Sequence, residues 1–282
     1  MNNIYTIEKG AWMIRKIFYI SIFALLLQTT IALAGTEGSE ELKGSASNET
    51  TGECFESVSR AMFKLNHGLD KVIFKPVAKG YRALPVPIRK ATGNMTDNLR
   101  SLLTFSNNLL QGDFLKAGDT AARFAVNSTV GILGMFDPAT KLGFEDHGKE
   151  DFGQTLGRWG SGPGCYFVLP ILGPTTARDA IGLVGNAILD PVYHVTHNSE
   201  IHNALVGNDN YSEHNYYYYR GTSAVDFRAK NIESWDSLEE NSIDLYSSLK
   251  SLYLQNRKQK IANSKSAVET QDDSDWEEID TN

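Results

Sequence analysis

The sequence reads as a mainly α-helical fold. Three observations carry that expectation. Apolar residues recur at three- and four-residue spacing on both sides of the chain's middle, and no series of stretches alternates as a half-buried sheet would. Half of the 24 glycines, 12 of them, fall within residues 131–185, which marks a glycine-rich central segment between helical flanks. At 282 residues the chain can bury a core, and 41% hydrophobic and 22% charged residues are ordinary for a folded protein.

In order along the chain, Phe55, Val58, Met62, Leu65, Leu69, Val72 and Ile73 paint one helical stripe. Lys75-Pro76 is expected to close it, because proline disfavours helical geometry in the preceding residue. Pro87 suits a helix start, and Ile88, Met95, Leu99, Leu102, Leu103, Leu109 and Leu110 mark a second helix, with a possible break near Gly93. Gly112 ends it, and Asp113 can cap a third helix from Phe114 to about Thr129. Short β runs fit residues 165–169, and "HVTHNSEIHNALVGNDNYSEHN" reads as a polar loop. From about residue 222 helix returns, with Val225, Ala229, Ile232, Trp235 and Leu238 on one face. After a break at Asn241 and Asp244, Leu245, Leu249 and Leu252 continue it to "RKQK".

The ends differ from the body. Arg15-Lys16, the apolar run "IFYISIFALLL" and Ala32-Leu33-Ala34 make a signal peptide over residues 1–34, too short in its apolar core for a spanning helix. Residues 35–52 are a polar leader. The last stretch, 261–282, ends in an acidic tail: residues 269–282 hold seven of the 34 acids and no base, leaving 27 acids against 27 bases elsewhere. A neutral body with an acidic tail excludes nucleic acid as a partner, which needs a concentrated basic footprint. Cys54 and Cys165 fit either a disulfide, as an exported protein permits, or two buried thiols.

Enzyme motifs are missing. "RWGSGPG" places Trp159 where a serine-hydrolase elbow needs its first glycine, and no P-loop or dinucleotide fingerprint occurs. His194, His197, His202 and His214 crowd together without a cysteine or repeated ligand spacing, so solvated loop histidines are the reading and no metal or other cofactor is expected. Residues 124–143, "FAVNSTVGILGMFDPATKLG", pose a different question: they are too polar to cross a membrane and too apolar for an ordinary surface.

Several long stretches answer it by resemblance. "ECFESVSRAMFKLNHGLD" (53–70), "PVAKGYRALPVPIRK" (76–90), "NNLLQGDFLKAGDTAARFAVNSTVGILGMFDPA" (107–139) and "EDFGQTLGRWGSGPGCYFVLPILGPTTARDAIG" (150–182) resemble the VacJ/MlaA family of outer-membrane phospholipid-transport lipoproteins. "AVDFRAKNIESWDSL" and "SIDLYSSLKSLYLQNRKQ" complete the likeness, over a domain spanning 53–260. The resemblance implies a single ring-like helical domain in the inner leaflet of the outer membrane. It implies a trimeric porin and a soluble periplasmic lipid carrier as partners, and movement of mislocalised phospholipid through a polar channel without bond cleavage. Thr36 stands where the family's acylated lipobox cysteine belongs, so the lipid anchor is expected to be absent. Cys54 and Ser59 replace the family's Pro and Asn.

Arginine suits a lipid phosphate because its planar fork binds two oxygens at once. The candidate headgroup contacts are therefore Arg60, Arg123, Arg158 and Arg178, with Asn66, Asn127, Trp159 and Tyr166 lining or gating the path. For each arginine the competing role is a salt bridge or helix cap. Two other functions remain in view: a porin-associated structural protein without transport, and a lipid esterase of unfamiliar type.

Overall fold

A computed structural model describes residues 51–206 and 214–262. The signal segment, Thr36, most of the leader and the acidic tail lie outside the described residues.

The described chain is mainly α-helical. Helix α1 (Glu56–Leu69) does not stop at the first proline. It passes through a π-helical stretch, Asp70–Phe74, into α2 (Lys75–Arg82), correcting the expected end at Lys75-Pro76. The reason is local. The wider π turn comes where Pro76 has no N–H to offer and its ring crowds the preceding turn, so the backbone stays helical through Lys75.

Helix α3 (Val86–Gln111) starts beside Pro85 and Pro87 and runs unbroken through Gly93 to Gly112, whose left-handed φ of 78° ends it. Gly93 is no break. It is a point of close approach, since a Cβ there would lie 3.1 Å from both Asp226 and Lys230. Helix α4 (Phe114–Thr129) follows as expected, with Asp113 at the N-cap position but its side chain not capping a backbone N–H of the helix.

Beyond it come α5 (Pro138–Lys141), α6 (Phe152–Arg158) and a hairpin of β1 (Tyr166–Leu169) and β2 (Gly173–Thr176). The strands pair antiparallel with Tyr166 opposite Thr176 and Leu169 opposite Gly173. Helix α7 (Ala177–Leu189) follows. The segment expected as a polar loop forms α8 (Pro191–His197) and α9 (Ser199–Val206) instead. Helices α10 (His214–Lys230), α11 (Ile232–Asn241) and α12 (Leu245–Ile261) finish the described chain. The starts are set by short acceptor side chains: Asp137, Asp151, Thr176, Asp190 and Asp244 each accept a backbone N–H of the helix they precede.

Aromatic packing between residues 191–197 and 214–219 supports the helices there. The His197 ring stacks on Tyr193 at 4.0 Å and meets Tyr216 edge-on, while His202 is buried, so these are not solvated loop histidines. Two small apolar clusters hold the helices. One joins Ala78, Ala229 and Ile232, with Tyr81 against them. The other joins Tyr166, Val168 and Tyr246, with Met62, Phe63, Tyr253 and Leu254. Cys54 and Cys165 form a disulfide with Cα atoms 5.2 Å apart, beside backbone bonds from Cys54 N to Tyr166 O and from Tyr166 N to Gly52 O.

Candidate functional site

Polarity is inverted in this fold. Among the described residues, 18 polar or charged side chains are buried against nine apolar ones. Soluble proteins place most buried area in apolar residues, so a buried polar group is the informative observation.

The inversion centres on α3. Thr96, Arg100, Thr104, Asn107 and Gln111 repeat at helical spacing, and Thr96, Thr104, Asn107, Asn98 and Asn108 are buried. Their partners come from α4, α6 and the extended segment before α6. Asn98 donates to Ser128 Oγ (2.9 Å) and Asn108 to Thr120 Oγ1 (3.2 Å). Thr155 Oγ1 donates to Asn107 Oδ1 (2.8 Å), and Gln111 Nε2 donates to Glu150 Oε2 (3.0 Å). Burial pushes the Glu150 carboxyl above its ordinary range, and the Gln111 bond only partly opposes this. Asn108 Oδ1, Gln111 Oε1 and Gln154 Oε1 are buried without a protein donor. Each such acceptor costs roughly 1–3 kcal/mol unless water or a polar ligand meets it. The network thus holds three acceptors that no protein donor meets.

The outside carries many large apolar side chains. Phe114 and Leu115 open α4 exposed, and Ile181, Val184 and Ile188 share the outward face of α7. The hairpin tip exposes Ile171 and Leu172. Between α4 and α5 the chain forms a tight turn whose apolar tip is forced outward. Ile132 and Leu133 adopt left-handed φ of 52° and 57° and are 58% and 64% exposed. A bulky residue in that region is strained by about 1–3 kcal/mol. Buried amides hold the turn: Asn127 donates to Asp137 Oδ1 (2.9 Å) and accepts from Ala139 N (3.0 Å), and its carbonyl accepts from Gly134 N (2.8 Å). No described helix is long and apolar enough to cross a membrane.

The residues singled out from the sequence fall at separate places. Arg60 bonds Glu56 and Asp244 and lies over the Tyr246 ring at 4.4 Å. Asn66 clasps the hairpin tip, donating to Leu169 O (2.8 Å) and accepting from Ile171 N (2.7 Å). Arg123 bonds Asp137 (2.8 Å), the Phe144 carbonyl (2.8 Å) and Thr140 (3.0 Å), beside Asn127. Arg178 is buried against Asp179 and the Ser161 carbonyl. Tyr166 is fully buried among Tyr246 and Tyr253, its hydroxyl without a protein partner. Arg158 and Trp159 sit together near the surface: Arg158 is 3.8 Å from Asp113, and Trp159 Nε1 donates to Leu110 O (3.0 Å). The structure thus joins Arg123 with Asn127, and Arg158 with Trp159, but brings no four arginines to one phosphate.

Sequence reasoning missed the residues of the polar network: Asn107, Asn108, Gln111, Glu150, Gln154 and Thr155. A signal existed, since polar residues on α3 share a three- and four-residue spacing of their own, while Ile88, Leu109 and Leu110 face outward.

The sequence profile of the MlaA lipoprotein family matches residues 52–260. The chain is 38% identical over 146 residues to a protein of Rickettsia prowazekii (strain Madrid E), covering 51% of this chain and 58% of that relative's length. It is 30% identical over 246 residues to the intermembrane phospholipid transport system lipoprotein MlaA of Haemophilus influenzae, covering 85% of this chain and 90% of that one. The MlaA of Escherichia coli K12 is 32% identical over 164 residues, 57% of this chain and 63% of that relative. A chain solved in work on the structural basis for maintenance of bacterial outer membrane lipid asymmetry superposes with a TM-score of 0.61 and 28% identity. That match covers 74% of this chain and 98% of the solved one.

Proposed function

The chain belongs to the MlaA lipoprotein family, and from that premise we propose that it moves phospholipid at the outer membrane and so maintains lipid asymmetry. One observation carries the reading: a buried polar network within a body that exposes many large apolar side chains. A phospholipid crosses a bilayer slowly because its headgroup must shed water on entering oil. A polar lining removes that cost, and irregular backbone at membrane depth is tolerated where it lines such a passage. The apolar turn at 130–136, the hairpin tip and the outer face of α7 would meet acyl chains, while Asn107, Gln111 and Glu150 would face the headgroup.

Six of the eight residues named from the sequence take supporting places in this proposal. Arg123 and Asn127 brace the strained turn, Asn66 and Tyr166 fix the hairpin, Arg60 ties α1 to the start of α12, and Arg178 ties α7 to the loop after α6. Arg158 and Trp159, nearer the surface, would meet a passing headgroup. A trimeric porin and a soluble periplasmic carrier are the proposed partners, with lipid leaving the outer leaflet and no bond broken. The test is reconstitution with labelled phospholipid and a carrier. Stoichiometric transfer without fatty-acid release is expected; release of fatty acid would identify an esterase instead, and no transfer would reject transport.

A further inference from the structure

We propose that the pocket between α2, the first turns of α3 and the end of α10 binds a phosphate group, the phosphodiester of a phospholipid headgroup. The proposal rests on the transport reading and gives it a headgroup site apart from the arginines singled out from the sequence.

The cavity is about 50 Å³, room for a few waters or one tetrahedral oxyanion. Tyr81, Arg89, Lys90, Asn94, Asp226 and Lys230 line it. Three cations face one carboxylate, and that carboxylate is already engaged: Asp226 Oδ1 accepts from the Tyr81 hydroxyl (3.1 Å) and Oδ2 lies 3.1 Å from Lys230 Nζ. Arg89 is fixed by one bond, Nε to the Leu84 carbonyl (3.0 Å). Its terminal nitrogens and the Lys90 ammonium meet no protein acceptor among the described residues. Arg123 and Arg178, in contrast, are held by carboxylates and carbonyls.

The helix adds to this field. Helix α3 is 26 residues long, has no side-chain cap and carries no acid in its first turn. Its positive end repels the two cations that follow it, and an anion between them relieves both. Gly93 leaves the space in which Asp226 and Lys230 sit. Apolar surface lies alongside. Asn94 Nδ2 donates to the Met135 carbonyl (3.1 Å), linking the pocket to the turn that exposes Ile132 and Leu133, and Leu84 and Ile88, close to Arg89 in the chain, are exposed. A phosphate seated here has exposed apolar residues on neighbouring segments, as a lipid needs and a free phosphate does not.

The full chain in detergent is titrated calorimetrically with dihexanoyl-phosphatidylglycerol and separately with inorganic phosphate. R89Q/K90Q is expected to weaken lipid binding at least about tenfold, as loss of two charge-assisted contacts implies. K64Q/K141Q, which removes the same charge elsewhere on the surface, is expected to leave binding unchanged. The single exposed substitution K90E covers the case in which the double variant fails to fold, and it too must weaken binding. Lipid binding by R89Q/K90Q or K90E at the wild-type level overturns the proposal. Equal affinity for inorganic phosphate and lipid overturns its assignment to a headgroup. Lipid transfer by the wild type is measured alongside: absence of transfer rejects the transport reading, while the binding result still judges the pocket.

Discussion

Arg257 shows what buried charge does in this fold. Its guanidinium bonds Asp151 through two nitrogens (2.6 and 3.0 Å) and Asp179 through Nε and Nη2 (3.1 and 2.7 Å), joining α12 to α6 and α7. Burial would raise the Asp151 carboxyl, but the Arg257 bonds and charge outweigh it and hold it at about 2. Removing the arginine strands two carboxylates, so R257M should cost about 3–5 kcal/mol in denaturant unfolding at pH 7. Because the folded value lies below the ordinary carboxylate range, this stabilisation is present above about pH 4. It is lost as pH falls towards 2, and the gap between wild type and R257M should close over that window. Glu150 has the opposite sign. Its carboxyl is raised by burial, so ionisation at neutral pH opposes folding, and E150Q should raise stability at pH 7 but not at pH 4, read by the unfolding midpoint at each pH. At this scale the sequence was only partly legible. Arginines stand out as phosphate ligands, yet whether a guanidinium is already engaged depends on carboxylates far along the chain, as Asp244 is from Arg60.

Helices were more legible than single roles. Helix α4 ends at Thr129, as its pattern says, and the hairpin begins within a residue of the expected run. The failures have physical causes: a π stretch absorbed Pro76, and stacked Tyr and His rings made helix of a polar-looking segment. Close helix contact is a further property of elements. A Cβ on Gly182 would come within 2.6 Å of Gly153 N and 2.7 Å of Gly153 Cα, and backbone cannot move aside as a side chain can. G182A should therefore push α7 off α6 and destabilise by about 1–3 kcal/mol, measured by thermal or denaturant melting. The Cys54–Cys165 bond closes a separation of 111 residues. In the chain-entropy model a loop of that length is worth about 4–5 kcal/mol, so C54S/C165S should lose up to that much, with reductant producing the same loss in the wild type.

The whole molecule is distinguished by where its polarity lies, and no composition shows that. A mean hydropathy of −0.30 belongs equally to a protein with an apolar core. The apolar periodicity on α3 was legible; which side of the helix is buried was not, because that depends on the polar partners α4 and α6 supply. If the outer face of α7 meets lipid, I181D/I188D should lose membrane affinity, since each apolar side chain buried in lipid contributes about 1.5–3 kcal/mol. Vesicle flotation should show the variant shifted to the aqueous fraction by roughly a hundredfold or more, with its fold retained.

The most direct measurement is photolabelling during transfer, using one phospholipid with a reactive headgroup and another with a reactive acyl chain. The account predicts that the headgroup reagent marks peptides containing Gln111 and Glu150, and that the acyl reagent marks those containing Ile132, Leu133 and Ile181. Labelling of the exterior by both reagents, with the interior peptides untouched while transfer proceeds, would contradict it.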